Sequence, residues 1–114
     1  MDYDLENRTI EFSKRVIRFV KVIRITEINR NIIDQLLRSA TSVGANYREA
    51  NGAVSRKDFI NKIYICRKEI QETKYWIELL AEVQSSDRDG LRLLWKETQE
   101  LTLIFGKIAS SLRN

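Results

Sequence analysis

Apolar residues recur along the chain at steps of three and four rather than two. In the third quarter Phe59, Ile63, Cys66, Ile70, Thr73, Ile77 and Leu80 alternate these steps, the spacing that holds one stripe against a partner helix. The last quarter repeats the pattern with Leu91, Leu94, Thr98, Leu101, Phe105, Ile108 and Leu112. Nearer the start, Leu5, Phe12, Val16, Phe19 and Ile23 mark one amphipathic face. Ile33, Leu36 or Leu37, Ala40, Val43, Tyr47 and Ala50 mark another. Thr26, Ser55 and Ser86 each precede a periodic segment in the manner of helix N-caps, and Ser55 with Asp58 resembles a capping box. Short connections force antiparallel neighbours. The expectation is therefore an all-α, antiparallel up-down-up-down four-helix bundle, one domain over 1–114, with helices near 4–24, 27–53, 56–84 and 87–112.

Composition supports helices. The 114 residues include no proline and four glycines, too few turn-formers for a sheet protein. One stretch conflicts with its surroundings: Arg38-Ser39-Ala40-Thr41-Ser42-Val43-Gly44-Ala45-Asn46 has poor helix propensity inside the second helix. Ala40 and Gly44 on one face suggest close helix approach, with room for Trp76 or Phe105. The alternative is a bend that presents Asn46 and Arg48.

The absence of histidine removes the commonest general base and metal ligand. Ser-His-Asp, Cys-His and His-carboxylate sites go with it. The lone Cys66 cannot close an intrachain disulfide and reads as a buried apolar residue. No apolar run approaches the roughly 20 residues that span a bilayer, and the opening residues lack the pattern of a signal peptide. A cytoplasmic protein without a membrane partner is expected.

Charge adds a candidate chemistry. The formal net charge is +4, which permits a polyanionic partner. The first helix carries Arg8, Lys14, Arg15, Arg18, Lys21 and Arg24 against Asp4, Glu6 and Glu11. Lys14, Arg18 and Lys21 fall at i, i+4 and i+7, a stripe fit for a phosphate backbone or simply a solvated face whose cations suit the helix C-terminus. In the third helix Arg67 and Lys74 are further candidates, although Lys68 with Glu72 and Lys74 with Glu78 have the spacing of ion pairs along the helix. Arg38 and Arg48 flank the small-residue stretch. They either contact a polyanion or neutralise Glu49 or Glu72, with Asn46 and Glu49 reaching across to the third helix.

Two further readings concern acids and aromatics. Glu69-x-x-Glu72 and Glu97-x-x-Glu100 place acidic pairs on adjacent helices, the requirement of a magnesium-dependent nucleotide hydrolase, but inward projection of all four conflicts with the apolar seams. Ion pairing is the expected use, with no metal, cofactor or catalytic residue. Tyr64, Tyr75, Trp76 and Trp95 lie outside the seams. Tyr75, Trp76, Leu79 and Val83 are accordingly expected at a subunit contact, against the alternative that Trp76 fills a groove between helices.

A resemblance sharpens these expectations. Residues 38–50, Arg-Ser-Ala-Thr-Ser-Val-Gly-Ala-Asn-Tyr-Arg-Glu-Ala, together with Lys57-Asp58-Phe59-Ile60 and the run from Arg67 to Trp76, resemble the bacterial four-helix-bundle proteins encoded in 23S rRNA intervening sequences. The likeness covers nearly the whole chain, including Tyr3-Asp4-Leu5 and the stretch from Phe12 to Val20. Related accessory proteins of diversity-generating retroelements form ring-shaped pentamers that bind nucleic acid and a reverse transcriptase. The resemblance thus implies a homo-oligomer, a pentamer by analogy, and an RNA or DNA partner. The leading expectation is a non-enzymatic oligomer that offers basic helix faces to nucleic acid. The alternative is a protein-interaction adaptor whose charges serve solubility.

Overall fold

The computed structural model describes residues 2–113, those at 2 and 3 by backbone alone. Met1 and Asn114, the ends of the expected domain, and the side chain of Tyr3 lie outside the described residues. Four helices, α1 (Asp2–Lys21), α2 (Arg30–Asn51), α3 (Arg56–Val83) and α4 (Arg88–Ser111), form the antiparallel bundle. Helix α2 packs on α1 and α3, and α4 on α3 and α1, so α1 lies diagonally opposite α3, and α2 opposite α4.

The seams of α3 and α4 are buried nearly as their periodicity requires, with Phe59, Ile108 and Leu112 half-buried at the ends. In α2, Leu36 faces the core, and Leu37 is half-buried. Across the diagonal, where the α2 and α4 backbones do not approach, Tyr47 meets Phe105 edge to face at 5.7 Å. Besides Thr73 and Thr98 of the seams, three buried polar residues belong to the same faces: Thr9, Ser39 and Glu69.

The small-residue stretch is helical throughout. It serves two neighbours, and at Gly44 the nearest is Thr9 of α1 rather than the expected Trp76 or Phe105. A Cβ on Gly44 would stand 3.4 Å from the Thr9 carbonyl oxygen of α1, while the Ser13 hydroxyl donates to the Ala40 carbonyl at 3.3 Å. On its other side, Ser39 Oγ lies 2.9 Å from Thr73 Oγ1 of α3, and Cys66 Sγ donates to the Val43 carbonyl at 3.5 Å. Backbone replaces side chain as the neighbour because antiparallel helices with small facing residues approach until main chains touch. Burial pushes the Cys66 thiol up to about 12, which keeps it protonated and unreactive.

Two helix ends differ from expectation. Regular α1 stops at Lys21 and α2 is regular only from Arg30, although Thr26 makes the cap bonds expected of it, in reciprocal exchange with Asn29 three residues on. Asn29 Oδ1 accepts from Thr26 N at 2.7 Å, and Thr26 Oγ1 accepts from Asn29 N at 3.1 Å. The Asn29 amide also donates to the Arg24 carbonyl at 3.0 Å, closing an ordered loop. At α4 the cap is Asp87 rather than Ser86. It adopts the left-handed conformation, φ 51°, and its carboxylate accepts from Gly90 N at 3.1 Å. Ser55 caps α3 as expected, accepting from Asp58 N at 3.0 Å.

Candidate nucleic-acid interface

The cations of α1 divide by the direction that helical spacing gives them. Arg8 turns toward α4 and is a structural tie: Nε lies 2.8 Å from one Glu97 carboxylate oxygen and Nη2 lies 2.5 Å from Glu100. The hydrogen bond to Glu97, ahead of the other influences, raises the guanidinium pKa still further. From Lys14 to Arg24, the last in the loop after α1, the cations have only Glu11 as an ion-pair partner among the described residues, with Lys14 Nζ at 3.8 Å and Arg18 Nη1 at 4.0 Å from its carboxylate. Arg15, Lys21 and Arg24 have no ion-pair partner among the described residues. Arg18 and Lys21 occupy the last turn of α1, where carbonyl ends favour positive charge by about 0.3–1 kcal/mol each.

Two shallow grooves border this face. Between α1 and α2 a space of about 450 Å³ is lined by Ser13, Lys14, Thr41, Gly44 and Arg48. Between α1 and α4 a smaller one, about 180 Å³, is lined by Arg15, Arg18, Phe19, Gly90 and Leu93.

Three of the other four candidates have partners inside the fold. Arg38 forms ion pairs with Glu69, at 3.2 Å, and with Glu72, while Arg48 Nε is 3.6 Å from Glu6. Lys74 lies over the Trp95 ring at 5.4 Å. Arg67 is half-buried on α3. The expected pairs along α3 give way to cross-helix partners, since Glu72 turns to Arg38 and Glu78 accepts from Trp95 Nε1 at 3.1 Å. Glu49 does reach α3, where its hydrogen bond raises the pKa of Lys62, 2.7 Å away. Asn46 does not, donating instead to the Ser42 carbonyl at 2.8 Å.

The four glutamates considered for a metal are split between arginines, Glu69 and Glu72 at Arg38, Glu97 and Glu100 at Arg8. Among the described residues no group of three or more acidic, cysteine or histidine side chains is placed to hold an ion. Glu69 is 7% exposed, so removing its partner is costly. Arg38→Met is expected to destabilise the fold by about 1–3 kcal/mol, the range for a buried acceptor left unpaired. Adding Glu69→Gln should recover part of that loss in urea titrations.

Of the expected subunit contact, Tyr75 and Val83 are exposed, and Trp76 and Leu79 half-buried. Tyr75 and Trp76 touch edge to face at 5.0 Å, and the buried Trp76 indole nitrogen has no hydrogen-bond partner.

The model of one protein family, the 23S rRNA-intervening sequence proteins, matches residues 1–107. The chain belongs to this family. A solved structure from the S23 ribosomal protein family of Bacteroides thetaiotaomicron VPI-5482, a protein with unknown function, is similar over 91% of this chain and 96% of its own, at 35% identity and a TM-score of 0.78. No curated protein matches. Membership of the 23S rRNA-intervening sequence family accords with the bundle; no described helix is long and apolar enough to cross a membrane.

Proposed function

We propose that this family member is a non-enzymatic, cytoplasmic homo-oligomer, a pentamer by analogy, that binds RNA or DNA through the basic outer face of α1. The observation that carries the reading is the run Lys14, Arg15, Arg18 and Lys21 on α1, with Arg24 in the loop that follows, whose only ion-pair partner among the described residues is Glu11. Cations without internal partners remain available to phosphates, and each one that engages releases condensed counterions. Such contacts position a duplex or folded RNA without reading its bases. The sharing of the four candidate glutamates between Arg8 and Arg38 supports a binding role over metal-dependent hydrolysis.

Fluorescence anisotropy with a structured RNA and a DNA duplex, at 50 and 200 mM salt, tests this reading. If all five cations engage, affinity should fall roughly 10²- to 10³-fold between these conditions. Absence of binding at low salt by folded protein would overturn it. The exposed Tyr75 and Val83 favour a second reading, an adaptor that binds protein alone. A protein partner retained after nuclease treatment, with no RNA or DNA binding, is its signature.

A further inference from the structure

A groove of about 310 Å³ runs between α3 and α4, on the edge of the helix square opposite α1 and α2. Ile77, Ala81 and Leu91 give it an apolar floor, and Trp95 walls it on α4. The indole is 36% exposed. Its N–H is held by Glu78 Oε2 at 3.1 Å, and Lys74 stands over the ring at 5.4 Å. Lys74 precedes Glu78 by one turn and lies outside the groove, whereas Ala81, Arg88 and Arg92 lie toward the α3–α4 connection, so the groove takes the other side of the indole.

The rim of the groove is cationic. Arg88 Nη1 donates to the carbonyls of Ala81 and Gln84 at 2.6 and 3.0 Å, which anchor the guanidinium without neutralising it. Arg92 meets Asp89 at 3.2 Å, but both side chains are largely exposed, a setting in which an ion pair contributes little. Against these two arginines the lining holds one acid among the described residues, Glu78, with one oxygen already committed to Trp95.

An exposed indole, an apolar floor and two guanidinium groups are complementary to a flat aromatic ring with negative charge beside it. We propose that the α3–α4 groove takes an unpaired base of a single-stranded nucleic acid, stacked on Trp95, with the adjoining phosphate at Arg88 and Arg92. The inference rests on the nucleic-acid half of the proposed function and adds to it a contact of a different kind, away from the α1 cations. Stacking on an aromatic side chain serves every base, and the guanidinium fork matches phosphate oxygens. The second Glu78 oxygen is left to accept from a base amino group. A duplex keeps its bases paired and cannot offer one, so the groove distinguishes strand from duplex, which phosphate contacts alone do not. Its volume lies at the lower end of the range for small-molecule sites, about 300–1,000 Å³, and Glu78, Arg88 and Arg92 leave its rim open to solvent. That shape covers a base while the rest of the chain continues outside, which favours a strand over a free nucleotide.

Fluorescence anisotropy of the full chain at low salt, with a labelled oligocytidylate and a DNA duplex, tests this. Trp95→Leu should weaken strand binding roughly 5- to 150-fold, the span for removing a stacking aromatic, and leave duplex binding unchanged. Trp95→Phe keeps a ring but loses the N–H bond to Glu78, and it should restore most of the affinity. Arg92→Gln should lower the slope of log affinity against log salt for the strand by about 0.7, one phosphate contact. If folded Trp95→Leu binds the strand as wild type does, or if wild type binds only the duplex, the groove assignment is wrong while the α1 reading stands. If wild type binds neither, both fall. Displacement of the strand by an equal nucleotide concentration of cytidine monophosphate would assign the groove to a free nucleotide and overturn the proposal. A lower mass of Trp95→Leu in light scattering, with strand affinity kept, would assign it to a protein contact and overturn it equally. Circular dichroism checks folding, and failure of Trp95→Leu to fold leaves Arg92→Gln decisive.

Discussion

Phe105→Ala is expected to lower the free energy of unfolding by about 3–5 kcal/mol, the range for deleting a fully buried phenyl group. Phe105 is 0% exposed and joins α4 to Tyr47 of α2 across the diagonal of the bundle. No backbone contact joins that diagonal, so the helices cannot readily move inward to fill the space. The cavity therefore persists, and the loss should lie toward the upper end of the range. Against a total stability of roughly 5–15 kcal/mol it would leave a marginal protein. Urea unfolding of both forms at equal protein concentration gives the difference, and a loss below about 1 kcal/mol would show that this side chain is not central to the core.

The second large effect depends on side-chain size at Gly44. Alanine there would place Cβ in ordinary contact with Thr9, 3.4 Å from its carbonyl oxygen and 3.5 Å from Oγ1. It would also remove the propensity penalty of a mid-helix glycine, about 1 kcal/mol. Gly44→Ala is accordingly expected to be neutral or stabilising by up to about 1 kcal/mol. Leucine would extend into the α1 backbone, which cannot rotate away as a side chain can. Gly44→Leu should cost at least about 1–3 kcal/mol, the range for overpacking, and should loosen α1 first. Hydrogen exchange would then be fastest in α1. Equal tolerance of alanine and leucine would contradict the close approach.

What was legible in the chain follows from which forces are local. The seams from Ile63 to Leu80 and from Leu91 to Phe105 depend on helical periodicity and were readable to the residue. The chemistry of Thr9, Ser39 and Glu69 suggests solvent, yet each continues a buried face. Thr9 stands between Leu5 and Phe12, and Glu69 between Cys66 and Thr73. Position within the period was the available signal, and Arg38 is what makes burial of Glu69 tolerable. The choice between the adjacent caps Ser86 and Asp87 rests on a hydrogen bond that depends on loop shape.

Ion pairs were the least legible part of the candidate site. Spacing along α3 favoured Lys68–Glu72 and Lys74–Glu78, but Arg38 and Trp95 on neighbouring helices take the acids instead. Arg8 belongs by sequence with the other α1 cations. Its partners Glu97 and Glu100 are about ninety residues away in the chain, and only the antiparallel pairing of α1 with α4 brings them near. The basic character of α1 beyond Lys14 was legible because few acids lie close in sequence, and the fold supplies few more.

The most direct test of the polyanion-binding face is the slope of log affinity against log salt for duplex DNA, in wild type and in Lys14→Gln/Arg18→Gln/Lys21→Gln. These exposed substitutions should leave the helical content intact. Each lost phosphate contact lowers the magnitude of the slope by about 0.9, so the triple variant should fall short of wild type by about 2–3. An unchanged slope in a folded variant would mean that nucleic acid, if bound, does not contact these cations.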